Sequence, residues 1–452
     1  MTAYTPEDIQ SLLDHAAREQ NLLPLTSRCD SRCIFCSHHN NPKEIQVISI
    51  GTRTLSQIEE AIYFLNPEAV ITIGESASSI IEGEPTLHPQ FREIMNLLRR
   101  RCPDTPVAVT TNGHHLTEDL VSFLSGCRPV ELNLSLNSGT LQGRRLLMGD
   151  DEEQAGTAIE GVKLLERYRI PFQGSLVGMP NVTGYDDVEH SIRLLAEHGA
   201  RAVRVFLPGF SSFVKRDIFP NPDTIYQELS AFIDRLAGEI ACPVLLEPSW
   251  VSDLVPKISG IAKKSPAYQA GLRRGDVIVS VNGKKPRSRT EAFRLVHETA
   301  DILAAYTRNG ELRAAAWQNG PEGSGLTFEY DFDLDRAAYM KNAVLTAPGH
   351  VLLLTSEFGS AVVQASLDAV ETPADRYTAI VTPNKTFGGT IRAAGLLTCD
   401  DYLAAYESFA EAHPKPAALM VPAESFNSLG RDLKGTHYSH LTERTGLPLA
   451  FG

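Results

Sequence analysis

Short apolar runs alternate with longer amphipathic stretches through the first half of the chain. Thr5 and Pro6 are typical of a helix start, and the pattern predicts a helix over residues 6–19. The apolar runs are of strand length and rich in Val, Ile and Leu. They lie at residues 21–25, 69–73, 106–110, 130–136, 172–177 and 202–207, and further helices are predicted at 56–65, 89–101, 118–124, 151–168, 186–198 and 225–236.

Continuously apolar strands that are separated by helices are typical of a parallel sheet covered by helices. No GxGxxG segment follows any of these strands, which weakens the case for a dinucleotide-binding fold. Six units of this kind favour an α/β fold, a partial (β/α)6 barrel, over an open doubly wound sheet. In barrels the chemistry lies at the carboxyl ends of the strands. The polar residues that follow each strand are therefore the candidates for function.

The pattern changes near residue 250. Ser265-Pro266 is typical of the start of a short helix and Gly271 of its end, and Asn282-Gly283 and Asn309-Gly310 are strong turn signals for hairpins. These signals predict a small β-rich domain. The predicted domains are therefore a barrel at residues 1–245, a β-rich domain at 250–332 and a C-terminal α+β domain at 335–452.

Length and composition are those of a globular protein with several domains. The chain has 452 residues, of which 42% are hydrophobic and 21% are charged, so it can bury large cores. The formal net charge of −13 argues against a general nucleic-acid or anionic-membrane binder. We therefore expect neither nucleic acid nor membrane as a partner.

The sequence favours a cytoplasmic location. The N-terminal residues are polar and acidic, without the basic start and apolar core of a signal peptide. The longest apolar runs, such as residues 351–354, are of strand length and too short to span a bilayer. The seven cysteines form no even framework, which fits a reducing compartment.

Three of the cysteines carry the clearest chemistry. Cys29, Cys33 and Cys36 form a CxxxCxxC run directly after the first predicted strand. Three thiolates on one loop can hold three irons of a cubic [4Fe–4S] cluster and leave the fourth iron open. With His38 or His39 the same cysteines could form a Cys₃His zinc site. Zinc sites more often pair two short hooks that lie apart in sequence, and no second hook exists here.

This cysteine spacing resembles that of the radical SAM superfamily, in which S-adenosylmethionine (SAM) chelates the open iron. In that family the residue before the third cysteine, here Phe35, packs by the adenine. Glu82-Gly83-Glu84-Pro85 resembles the family's Gly-Gly-Glu-Pro motif, with Glu82 in place of the first glycine. That motif holds the ammonium group of SAM in the family.

Later segments resemble the family in the same order along the chain. Thr111-Asn112-Gly113 matches a Thr-Asn-Gly turn, and Ser135 and Asn137 stand where the family binds the SAM ribose and carboxylate. Residues 174–178 match a GxIxG run, with Leu176 in place of Ile, whereas Asn181 stands where the family often has Glu. The resemblance implies SAM contacts from Phe35, Gly83, Glu84, Pro85, Asn112, Ser135, Asn137 and Leu176.

The resemblance also implies a reaction. The cofactors would be a [4Fe–4S] cluster and SAM, with an electron donor such as flavodoxin or ferredoxin. Reductive cleavage of SAM would give a 5′-deoxyadenosyl radical, which abstracts hydrogen from an unidentified substrate. No side chain is assigned as catalytic. The alternative is a non-catalytic iron–sulfur redox sensor or scaffold, which needs a cluster but no SAM pocket.

Two further resemblances lie in the second half. Residues 265–283 resemble a bacterial PDZ domain of the protease-associated kind, which implies a peptide or protein partner bound by strand addition. No clear carboxylate-binding loop lies near residues 258–262, so a structural or docking role stays open beside peptide capture. Segments at residues 382–389, 394–398 and 419–422 resemble the last domain of an uncharacterised bacterial family that combines a PDZ domain with a radical SAM-like core.

Overall fold

Six strands form one sheet and follow one another across it in chain order. The computed structural model describes residues 4–77, 79–214, 218–221, 224–321 and 323–452. From β1 to β5 each strand pairs in parallel with the next. Such an order fits the predicted partial barrel of βα units. The strands are β1 (Ile71–Ile73), β2 (Val107–Thr111), β3 (Val130–Ser135), β4 (Phe172–Val177), β5 (Val203–Phe206) and β6 (Val244–Glu247).

The two ends of this sheet differ from the prediction. Residues 21–25 make a single parallel bridge, from Leu22 to Thr72 beside β1, and are not a full strand. Pro24 interrupts the run because it has no N–H group to donate to a neighbouring strand. The sixth strand, Val244–Glu247, was not predicted. Its short run lies between two prolines, which obscures the strand pattern in the sequence.

Helices cover one face of the sheet and leave the other partly open. Along β3 and β4 the residues alternate between buried and partly exposed. A side chain at Gly174 would meet Leu195 of a covering helix at 2.5 Å, so the face that carries Gly174 is the packed one. The helices are α1 (Pro6–Gln20), α2 (Ser37–Asn40), α3 (Leu55–Ile62), α4 (Phe91–Arg101), α5 (Glu118–Ser125), α6 (Leu141–Met148), α7 (Glu152–Arg167), α8 (Pro180–Thr183), α9 (Tyr185–Glu197) and α10 (Ile225–Ala237).

The chain divides into two units, one of residues 1–240 with 427–429 and 433–435, the other of the remainder. Beyond residue 250, the second unit contains a β-rich region. Its strands β8 (Val277–Val281), β9 (Asp301–Arg308) and β10 (Glu311–Gln318) form an antiparallel sheet, and β7 (Gly260–Ile261) pairs with β11 (Leu326–Thr327). Two helices, α11 (Pro266–Gln269) and α12 (Arg289–His297), pack there. Asn309-Gly310 turns the β9–β10 hairpin with positive φ at both residues, as predicted.

The last region corrects one prediction. Its four strands, in the order β13–β12–β14–β15, all pair in parallel and alternate with helices, so its class is α/β and not α+β. The central strands are buried at every residue, which is typical of a parallel sheet covered on both faces. The elements are α13 (Leu334–Thr346), β12 (Val351–Thr355), α14 (Ser360–Ala369), β13 (Tyr377–Val381), α15 (Cys399–Ala412), β14 (Ala418–Val421), α16 (Ser439–Thr445) and β15 (Leu449–Phe451).

Candidate active site

The cysteine loop, residues 29–36, follows the segment that bridges to β1. Cys29 is exposed, Cys33 and Cys36 are half-buried, and all three are free thiols. The Cys36 N–H donates to the Cys33 carbonyl at 3.1 Å, which closes a tight turn before α2. The loop therefore presents three thiols over a short stretch of backbone.

The Gly83-Glu84 segment anchors the start of this loop. The Gly83 N–H donates to the Thr26 carbonyl at 2.7 Å, and the Glu84 N–H donates to the Arg28 carbonyl at 2.8 Å. A side-chain carbon at Gly83 would lie 2.0 Å from the Arg28 carbonyl oxygen. Glycine is required here because the two backbones touch.

The Glu84 side chain ties its own segment to the end of β2. It is buried and accepts hydrogen bonds from the Thr86 N–H and hydroxyl, the Thr111 hydroxyl and the Asn112 N–H, at 2.6 to 3.1 Å. Pro85 is buried beside it. The carboxylate of Glu84 is thus occupied by protein groups, and its part in a cofactor site is to hold backbone in place.

The end of α6 supports the other side of the cysteine loop. The Arg32 N–H donates to the Met148 carbonyl and the Ile34 N–H donates to the Leu147 carbonyl, both at 2.9 Å. Phe35 is half-buried and packs against an apolar cluster that includes Leu147 and Met148. The loop is therefore held by backbone pairing on two sides.

A polar network lies beneath the loop and centres on Asp30. Asn112 donates from Nδ2 to Asp30 Oδ1 and to Ser31 Oγ, both at 3.0 Å. Nδ1 of His114 and Nε2 of His115 lie 3.1 and 3.0 Å from Asp30 Oδ2. The residues that follow β2 therefore contact the cysteine loop directly.

The network continues into the interior through Asp150. His114 Nε2 lies 2.9 Å from Asp150 Oδ1, and Arg144 Nε donates to Asp150 Oδ2 at 2.7 Å. The other Arg144 donors reach the Leu136 carbonyl at 2.6 Å and the Asn112 carbonyl at 3.1 Å. Arg144 is fully buried, and it clamps the ends of β2 and β3 to Asp150.

Burial and these contacts shift the pKa values of three groups in the site. Burial alone would lower the pKa of His114, but the hydrogen bond to Asp150 and the nearby Asp30 carboxylate outweigh burial and raise it to about 9. For Asp30, burial favours the neutral acid, yet His114, His115 and Asn112 hold its pKa far below the usual range. Burial raises the pKa of Cys33 to about 12, helped by the nearby Cys36 and Cys29 thiols.

The remaining predicted cofactor residues lie on β3, just after its end, and on β4. Ser135 is half-buried on the open face, where its hydroxyl is 3.4 Å from that of Ser175. Asn137 has a left-handed backbone with φ of 59°, accepts from the Val177 N–H at 3.0 Å and donates to the Ser135 carbonyl. Leu176 lies on the same face of β4 as Gly174 and is buried under the helices. Its side chain therefore points away from the open face, and only its backbone could contact a cofactor there.

The donor set fits an iron–sulfur cluster. The thiols lie on one loop, and burial raises the pKa of Cys29 and of Cys33. Nearby Glu84, Asp30 and Cys36 add to the rise at Cys29, and the Cys36 and Cys29 thiols add to it at Cys33. Within the described ranges, no three His, Cys, Asp or Glu side chains converge on a single metal-ion position. A cubic cluster instead binds each thiolate to a different iron.

Sequence reasoning missed Asp30, His114, His115 and Asp150. Their signal was positional. Asp30 stands inside the cysteine run, the two histidines follow Asn112-Gly113, and Asp150 follows Met148-Gly149. Each therefore adjoins a segment that the resemblance had already marked.

Comparison with known families agrees with this geometry. Residues 23–195, which contain the cysteine loop and strands β1 to β4, match the Radical SAM superfamily. This part of the chain is a radical SAM domain. Residues 257–301 match a PDZ domain. The family resemblance of the C-terminal region stays a prediction.

The chain is similar over part of its length to several curated proteins. It is 29% identical over 116 residues to the GTP 3′,8-cyclase of Microcystis aeruginosa, covering 26% of this chain and 33% of that protein. It is 31% identical over 114 residues to the GTP 3′,8-cyclase of Nautilia profundicola, covering 25% of this chain and 33% of that protein. The chain thus spans about a third of the length of these relatives.

Solved structures of related shape include Streptococcus suis SuiB bound to precursor peptide SuiA. The likeness has a TM-score of 0.40 at 15% identity and covers 54% of this chain and 55% of SuiB. Another is native anSMEcpe with bound AdoMet, at a TM-score of 0.37 and 16% identity, covering 49% of this chain and 62% of anSMEcpe. Among the described residues of the present protein, no helix is long and apolar enough to cross a membrane.

Proposed function

We propose that the protein is a radical SAM enzyme that acts on an unidentified protein or peptide substrate. One observation carries the proposal: the backbone that leads directly into the cysteine loop, at Thr26 and Arg28, is bonded to the Gly83-Glu84 segment, and the loop itself is bonded through Asp30 to Asn112. The loop and two of the segments that would surround SAM therefore form one connected site. A redox sensor would need the thiols but not these segments.

The chain's own groups would act as follows. Cys29, Cys33 and Cys36 would hold a [4Fe–4S] cluster, and Phe35 would pack beside the adenine. When bound, the cluster and SAM supply reductive cleavage to methionine and a 5′-deoxyadenosyl radical, after one electron from a donor such as flavodoxin or ferredoxin. The strand ends of β2 to β4 would orient SAM through Asn112, Ser135 and Asn137. Gly83 and Pro85 would present backbone carbonyls to its ammonium group.

The protein or peptide class of substrate rests on residues 257–301. A PDZ domain binds an extended peptide by adding a strand to a sheet edge. Here the sheet of β8 to β10 ends at β10, whose residues are largely exposed. We propose that this region recruits the substrate or a carrier protein.

The reaction is tested on anaerobically reconstituted full-length protein. After reduction with dithionite and addition of SAM, 5′-deoxyadenosine is quantified by chromatography. We expect product from the wild type, loss of product in Cys33→Ala, and wild-type amounts in Cys127→Ala, whose cysteine is buried outside the loop. A full [4Fe–4S] content without any 5′-deoxyadenosine would contradict the enzyme and favour the redox sensor.

A further inference from the structure

His114 is the buried junction between the cysteine loop and the interior of its unit. Its side chain is 1% exposed; Nε2 is hydrogen-bonded to Asp150 Oδ1 at 2.9 Å, and Nδ1 lies at ion-pair distance, 3.1 Å, from Asp30 Oδ2 without hydrogen-bond geometry. Only the doubly protonated ring has an N–H group at both nitrogens. The raised pKa of His114 agrees with this form, because the ring then stays protonated at neutral pH.

The Asp150 side of this junction is held firmly. Arg144 and Asp150 have no exposed side-chain surface, and Arg144 also binds the Leu136 and Asn112 carbonyls. Three of the four charges in the chain from Asp30 to Arg144 are therefore fixed in the interior. Asp30, one residue after Cys29, is the partly exposed end that they hold.

We propose that His114 is a positioning residue that fixes the cysteine loop by joining Asp30 to Asp150. The inference rests on the proposed function, since the loop has a cluster to position only if it binds one. His114 touches neither SAM nor a cysteine in this role. It acts through Asp30 on the backbone next to Cys29.

Charge balance gives the expected consequences. The network holds the carboxylates of Asp30 and Asp150 with His114 between them, and removal of His114 leaves Asp150 with Arg144 and Asp30 with the partly exposed His115. The two carboxylates then face each other without the cation that joined them, so the loop should shift away from Asp150. The site also loses a positive charge near a cluster that becomes more negative on reduction. The midpoint potential of the cluster should therefore fall.

The test uses His114→Gln in the reconstituted full chain, with His115→Gln as the matched control. His115 touches the same Asp30 oxygen but is partly exposed and contacts no second carboxylate among the described residues. Iron loss to a chelator and the midpoint potential from an EPR-monitored titration are measured. We expect His114→Gln to weaken iron retention roughly 10–100-fold and to lower the potential, as supporting residues around metal ligands do. His115→Gln leaves the link from Asp30 through His114 to Asp150 in place and should lose clearly less iron than His114→Gln.

A second variant keeps the test decisive if the buried His114→Gln substitution prevents the protein from folding. Asp30→Asn removes the same link from the partly exposed loop side, and we expect the same weaker retention of iron. The double variant, His114→Gln with Asp30→Asn, should retain iron no worse than either single variant, since both substitutions break the same link. Wild-type retention and potential in both single variants would overturn the inference and leave the proposed function standing. Equal losses in the His115→Gln control would also overturn it. If the reconstituted wild-type protein held no iron–sulfur cluster, both the inference and the proposed function would be overturned.

Discussion

At the residue scale, Glu82 departs most from the family motif, in which a glycine stands at this position. Its carboxyl group is buried, and neither oxygen has a hydrogen-bond partner of good geometry among the described residues. Burial raises the pKa of Glu82 to about 9, although the Leu25 N–H and the Arg53 guanidinium lie near enough to favour the charged form. The side chain is therefore neutral at pH 7 in the folded protein.

This burial makes stability depend on pH. The folded pKa lies above the unfolded one, so stability falls as pH rises from about 4.5 toward 9. Glu82→Gln keeps the shape and removes the titration, and we expect it to stabilise the protein by about 1–3 kcal/mol at pH 8 and little at pH 4.5. Urea unfolding at both pH values measures this. The exposed Glu68→Gln is the control, and equal effects at the two pH values would contradict the prediction.

Adjacent arginines on α6 give a second residue-scale prediction. Arg144 is buried against Asp150, whereas Arg145 is exposed. Arg144→Ala leaves the buried Asp150 with His114 alone and removes the donor to the Leu136 and Asn112 carbonyls, so it should cost about 3–5 kcal/mol of unfolding free energy. Arg145→Ala should change it by less than about 0.5 kcal/mol. Denaturant unfolding of both variants decides the matter, and similar losses would show that burial of Arg144 is not the cause.

At the element scale, backbone pairing builds the site. Gly83 touches the backbone of Arg28, so Gly83→Ala must push the cysteine loop away from the segment of residues 83–86. We expect reconstituted Gly83→Ala to lose most of its iron per chain. Gly156→Ala in helix α7 meets no neighbour within 4 Å and should keep wild-type iron. Full iron in Gly83→Ala would contradict the assigned contact.

Much of this architecture could be predicted from the sequence. The strands from β1 to β5 are marked by short apolar runs, and the parallel order follows from the helices between them. The two edges of the sheet were harder to predict, because Pro24 interrupts the first apolar run and prolines flank β6. The Asp30–His114–Asp150–Arg144 network could not be derived, since it joins residues over 100 positions apart whose proximity only the fold creates.

At the scale of the whole molecule, the β-rich region has a core of its own. Ile258, Leu272, Ile278 and Trp317 pack together with other residues of this region. Both tryptophans of the chain, Trp250 and Trp317, lie in the second unit. Tryptophan fluorescence therefore reports on that unit and not on the cysteine loop.

This separation predicts independent responses. Leu272→Ala should destabilise the fluorescence-monitored transition by about 2–5 kcal/mol, because Leu272 is fully buried. Leu312→Ala, at a position 70% exposed, should leave the transition unchanged. Both variants should retain wild-type iron and 5′-deoxyadenosine formation without added substrate. Loss of iron in Leu272→Ala would show that the cluster site depends on this core.

The central claim is that Cys29, Cys33 and Cys36 hold a cluster with one iron open to SAM. The most direct measurement is the EPR spectrum of the dithionite-reduced, reconstituted protein with and without SAM. We predict a [4Fe–4S]⁺ signal whose g values change when SAM is added, and no signal in Cys33→Ala. A [4Fe–4S]⁺ signal that SAM leaves unchanged would contradict the account.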